Sequence, residues 1–214
     1  AKAEAERLAK EEAARQAERR QALELIGGVE LAEQVAANRE GDLEEEREIR
    51  DKLGLEYTIR SSRRISVKGV LDQEQALHFL ELGERMCGTL NRELGLPAAS
   101  SPFSTGKKER IHFFLIERPQ LAAVLGYING RYTRYPPEFL KFSIERQGGV
   151  TADGDGCVGV QISGDEHNED VFCHYFGHAY VESLGRNVGH WFTEGFAVYC
   201  ALRFHGNAVH LCTT

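Results

Sequence analysis

No apolar run in this 214-residue chain approaches the roughly 20 residues that a membrane-spanning helix needs. No charged-then-apolar leader stands at its start either. The chain begins at Ala1 rather than Met and reads as a processed or trimmed piece, so the missing leader leaves the compartment open. A basic surplus is also lacking. The net charge is −7: residues 1–56 carry 10 basic and 16 acidic side chains, and the remainder 16 and 17. Neither part offers the cationic footprint that a phosphate backbone requires, which excludes nucleic acid as the expected partner. The five cysteines (Cys87, Cys157, Cys173, Cys200, Cys212) are odd in number and show no C-x-x-C spacing. They read as buried small hydrophobes and lean towards a reducing compartment. Asp153-Gly154-Asp155-Gly156 lacks the further ligands and terminal glutamate of an EF-hand and reads as a tight turn.

What is present supports one medium domain plus an appendage. Hydrophobic residues make up 42% of the chain, with eleven Phe and seven Tyr, enough for a real core. Residues 1–56 form a charged arm or linker. Their Ala, Glu, Arg and Lys favour helix, but the apolar stripe is too thin for a coiled coil. Gly27-Gly28 and Gly41-Asp42 are expected to divide the arm into three helices ending near Leu53. The arm reads first as a solvated helix and second as a docking surface for a partner. Tyr57–Lys68 then suggests a hairpin around Ser61-Ser62. Asp72 is a candidate N-cap for a helix over Gln73–Leu94, stopped by Gly95-Leu96-Pro97. Ile111–Ile116 reads as a central strand, with His112 a core or sheet-face side chain. Pro119–Ile128 suggests a short helix, Tyr132–Pro137 a loop rich in aromatics and proline, and Val158–Ile162 another strand.

The chemistry-bearing stretch is Cys173–Tyr199, CHYFGHAYVESLGRNVGHWFTEGFAVY. His174 and His178 are four residues apart, so a helix would place both imidazoles on one face, one turn apart. After a connection containing Gly185, Asn187 and Gly189, a second helical segment carries Glu194 near its start. Two histidines and a downstream carboxylate form a three-ligand set with an open fourth position, the arrangement of a catalytic zinc. Cys173 beside His174 is no nucleophile pair, because neighbours on a helix point about 100° apart.

His174-x-x-x-His178 followed by Glu194-Gly195-x-Ala197-x-Tyr199 resembles the gluzincin (zincin, peptidase-MA-like) metallopeptidase domains. These carry His-Glu-x-x-His on one helix and Glu-Gly-x-Ala-x-Tyr on the next. The resemblance covers about residues 57–205, though only 174–199 is specific. It implies Zn2+ held by His174, His178 and Glu194, with Tyr199 an auxiliary residue. It also exposes a departure: the general-base glutamate follows the first histidine in that family, and Tyr175 stands there. A phenol with an ordinary pKa of about 10 is a poor base for a zinc-bound water titrating near 7.

Other groups near the motif have two readings each. Glu182 is a support behind a ligand imidazole or a solvated carboxylate. His190 is an alternative ligand to Glu194 or a residue of the connection. Asp165, Glu166, Glu169 and Asp170 suit the positive end of the histidine helix. Any of them could stand in for the base, but none occupies its position. His205 and His210 are candidate oxyanion donors. The chain ends fifteen residues after Tyr199, so the C-terminal subdomain that usually supplies this donor is expected to be absent or truncated.

The expected fold is α+β: a charged helical arm over 1–56, then a minimal zincin-like domain over 57–214 with a small mixed sheet packed on helices. The favoured function is a zinc-binding, pseudoenzyme-like module with impaired or lost peptidase activity and a protein or peptide ligand. The alternatives are an active zinc metallopeptidase with a non-standard base and a metal-free interaction scaffold.

Overall fold

Strong start and stop signals set most of the elements. The computed structural model describes residues 28–97, 101, 110–129, 131–133, 135–152, 157–162, 168–184 and 189–206. In order these form helix α1 (Gly28–Leu53), strands β1 (Thr58–Ser61) and β2 (Ile65–Gly69), helix α2 (Gln73–Glu93) and strand β3 (Ile111–Glu117). A 3-10 turn (Arg118–Gln120) then leads into α3 (Leu121–Ile128), followed by α4 (Pro137–Gln147), β4 (Gly149–Ala152), β5 (Cys157–Ile162), α5 (Asn168–Leu184) and α6 (His190–Phe204). Asp72 caps α2 as expected. Its carboxylate accepts the Gln75 backbone N–H at 2.8 Å, and the Gln75 side chain accepts the Asp72 N–H at 3.0 Å. This reciprocal box satisfies two of the donors that a helix start leaves open.

The architecture is mixed α and β. The sheet runs β1-β2-β3-β5-β4; its two outer pairings are antiparallel and its two inner ones parallel. Strand β3 lies at the centre and is buried on both sides over Phe113–Ile116, which explains the apolar run there. Alternation along it splits the core in two. Ile111, Phe113 and Leu115 join α2, α5 and α6 on one face, through Phe79, Leu80, Phe172, Phe176 and Tyr180. Phe114 and Ile116 join α3 and α4 on the other, through Val124, Leu125, Leu140 and Ile144. No helix among the described residues is long and apolar enough to cross a membrane.

Two expectations are corrected. Gly41-Asp42 does not interrupt a helix; α1 runs through it without a break. A Cβ at Gly41 would meet nothing within 4 Å, while Asp42 is turned inward and accepts the Ser61 hydroxyl at 2.6 Å. Nor is this part of the arm a free, solvated helix. Leu31 enters one core and Ile49 the other, and Glu46 accepts the Ile59 backbone N–H at 2.9 Å. The fully buried Lys68 ammonium reaches both oxygens of Glu45 at 2.6 Å, with Tyr132 also bonded to that carboxylate. The acidic side chains of α1 thus answer cations in the sheet. Residues 1–27 lie outside the described residues, as do residues 153–156, where a tight turn was expected, and Asp165, Glu166 and His210.

Two elements arise where no element was expected. Helix α4 starts with Pro137 in its first turn, where a fixed φ suits the helix, and ends at Gly148, whose φ is 82°. Strand β4 follows at once and forms one edge of the sheet, next to the helix that carries the histidines.

Candidate metal centre

Helix α5 passes beside β4 and β5, and α6 folds back against it antiparallel. Their contact is close because small residues meet there. A Cβ built on Gly177 would lie 2.8 Å from the Ala197 Cα and 3.0 Å from the Cys200 Sγ. Ala197, Cys200 and Ala201 are fully buried at this seam. Gly177 immediately precedes His178, so the same close approach that packs the helices draws Glu194 over the two imidazoles.

Three ligand-type side chains converge there. His174 Nε2 and His178 Nε2 are 3.0 Å apart, and Glu194 presents Oε2 at 3.7 Å to the first and Oε1 at 3.4 Å to the second. Tetrahedral coordination with bonds of 2.0–2.1 Å separates neighbouring ligand atoms by about 3.3 Å. The observed distances, which run to both Glu194 oxygens, lie on either side of that value, and two imidazole nitrogens with a carboxylate are donors of a type that binds divalent transition metals. His174, His178 and Glu194 could therefore hold a metal ion. The histidines are buried, while the Glu194 side chain keeps 44% of its exposure. The cluster opens to solvent on the Glu194 side.

Burial also sets the protonation state. The His174 imidazole is pushed down to about 3, first by loss of solvent and then by His178. His178 is lowered as well, again chiefly by burial, with Glu194 opposing. Both rings are neutral near pH 7, the form in which histidine binds metal. Their short contact is thus a hydrogen bond in which one ring nitrogen donates and the other accepts.

Tyr175 lines the same place. Its ring is 5% exposed and lies within 5.1 Å and 5.7 Å, centroid to centroid, of the His174 and His178 rings. It covers Gly149 of β4 so closely that a Cβ there would sit 2.5 Å from the ring. Burial first, and the Glu194 carboxylate second, raise the phenol well above its usual range, against a hydrogen bond from the Gly149 backbone. Tyr175 therefore stays protonated: it can donate a proton to a hydrogen bond, but it cannot act as a base.

The remaining expected residues stand elsewhere. Glu182 is exposed at the far end of α5, where it accepts the Thr151 hydroxyl of β4 at 3.4 Å. His190 is exposed at the start of α6; His178 senses its charge, but it is outside the converging set. Tyr199 points away and donates to Glu93 of α2 at 3.0 Å. Glu169 is held by His78 at 2.9 Å and lies 3.6 Å from His205, so neither Glu169 nor His205 faces the cluster. Asp170 is wholly buried and outside the converging set. Comparison of the chain with protein-family models, with curated proteins and with solved structures found no match.

Proposed function

We propose that this chain is a gluzincin-like zinc-binding domain whose peptide-hydrolysing chemistry is impaired or lost, and that it serves as a binding or structural module for a protein or peptide ligand. One observation carries the reading. Two buried neutral imidazoles and a half-exposed carboxylate converge from α5 and α6, while a protonated phenol occupies the place of the base. Zinc, when bound, supplies a Lewis acid and lowers the pKa of its water. The chain's own residues then divide the work. His174, His178 and Glu194 would hold the ion, and Tyr175 offers a hydrogen-bond donor beside it. No carboxylate on the first turn after His174 is available to accept a proton from water.

The edge of β4 supports a peptide as the ligand class. Among the described residues β4 pairs only with β5, which makes it the terminal strand of the sheet beside the histidine helix, with Gly149 and Val150 buried and Thr151 half-buried. A partner docked through the charged segment ahead of α1 is part of the same proposal.

A second reading, an active metallopeptidase with a non-standard base, has one candidate in its favour: His190, which is exposed and close enough for His178 to sense its charge. The deciding measurement is the metal content of chelator-rinsed protein by mass spectrometry, with His174→Ala alongside. One zinc per chain, lost in the variant, is expected. Zinc in neither protein would overturn the proposal and leave a metal-free scaffold held by the His174–His178 hydrogen bond.

A further inference from the structure

We propose that Asp170 is the positioning residue for His174: its carboxylate takes the Nδ1–H of that ring, leaving Nε2 bare and aimed at the metal. This rests on reading the cluster as a metal site, and it assigns a role to a residue outside the ligand set.

Two orphan atoms carry the argument. Asp170 is fully buried, and its Oδ1 accepts the Val171 N–H at 2.8 Å while Oδ2 has no partner. His174 is 4% exposed, with Nε2 engaged by His178 and Nδ1 buried and without a partner. A buried carboxylate oxygen left unsatisfied costs stability, and so does a buried ring nitrogen. Two such atoms one turn apart on one helix remove both penalties if they meet.

Helix geometry places the two residues one turn apart on one face. Asp170 precedes His174 by four residues in α5, so the two lie on one face with Cβ atoms about 6 Å apart. Helical side chains lean towards the N-terminus, which tips the His174 ring towards the Asp170 turn. Nδ1 is the nitrogen nearer the backbone, and Nε2 is the one that faces His178 and Glu194. The structure holds no hydrogen bond between Asp170 and His174, and pairing them requires a side-chain rotation that brings the two orphan atoms within reach. A neutral imidazole carries one proton, so fixing it on Nδ1 decides which nitrogen can bind metal. A carboxylate on that proton also makes Nε2 a stronger donor.

The competing partner for Asp170 is Arg85 of α2, whose Nε is also buried and without a partner. Both groups are near enough for Cys173 to sense them, yet no ion pair joins them among the described residues. If Arg85 were the true partner, Asp170 would only brace α5 against α2.

The experiment reads the His174 tautomer and the zinc affinity separately. Long-range 1H–15N correlation of the histidine rings is recorded on metal-free wild type, Asp170→Ala and Asp170→Asn. Zinc affinity is measured by chelator competition, and melting temperature is followed without metal. Wild type is expected to hold His174 as the Nδ1–H form. In Asp170→Ala that signature gives way to a mixture and zinc binds about 10–100-fold more weakly. Asp170→Asn, near in shape and still an acceptor, falls between. An unchanged tautomer and affinity, with only a lower metal-free melting temperature, would overturn the proposal in favour of the Arg85 role. If wild type binds no zinc, the metal reading fails, but the tautomer still decides whether Asp170 orients His174.

Discussion

On the proposed reading, Tyr175 is the residue that decides the chemistry of the cluster. Its ring fills the space between the α5 imidazoles and the Gly149 backbone, and its proton is held tightly. If loss of the base is what silences the site, Tyr175→Glu should give zinc-dependent cleavage of an unstructured protein substrate that wild type leaves intact. The variant should also lose about 1–3 kcal/mol of stability, since a smaller, charged side chain replaces a buried ring. Cleavage by wild type that the substitution leaves level or lowers would favour a non-standard base instead. At this scale the sequence was legible where chemistry follows from spacing: the i, i+4 histidines and the downstream carboxylate meet as expected. Tyr199 was not legible, because its direction depends on Glu93, far away in the chain. Nor was Asp170, whose burial no local pattern announces.

Among elements, the pairing of α5 with α6 decides whether His174, His178 and Glu194 can meet at all. Gly177 and Gly195 make a matched contrast. At Gly177 a methyl group would press on the Ala197 backbone, and at Gly195 it would meet nothing within 4 Å. Gly177→Ala should push the helices apart, costing about 1–3 kcal/mol in thermal or urea unfolding and weakening zinc binding. Gly195→Ala should be neutral or stabilising by up to about 1 kcal/mol, as for an exposed helix glycine. Equal effects from the two would remove the seam from the explanation of the site. Elements with local punctuation were legible: Asp72 opened α2, and β3 read as a central strand. Helix α1 was misjudged because Gly and Asp usually break helices; here Asp42 finds Ser61 on the neighbouring strand, a contact that no window of sequence contains. Helix α4 had its own signals, Pro137 and Gly148, but the loop read over Tyr132–Pro137 stopped where the helix begins and no element was assigned to the residues after it.

The whole molecule carries a pH signature. His174 titrates at about 3 when folded and near 6.5 when the chain is unfolded. Above 6.5 the ring is neutral in both states and contributes nothing. As the pH falls below that value the unfolded chain takes up the proton and the folded one does not, so stability declines between the two values. From pH 6.5 to 5 this amounts to about 1–2 kcal/mol. Urea unfolding of the metal-free protein at both pH values should register the loss, and His174→Ala should shrink it. An equal pH dependence in that variant would assign the effect to other groups.

The order of the strands also bears on how the chain finds its shape. The two inner parallel pairings join β2 to β3 and β3 to β5, segments about 45 residues apart in sequence. Long loops must close before those contacts return any free energy, which makes the sheet centre the slow, non-local part of folding. Helices α5 and α6 are joined by a short connection, so Glu194 lies only sixteen positions beyond His178. The candidate ligands thus belong to a local hairpin that can assemble ahead of the sheet that later buries it.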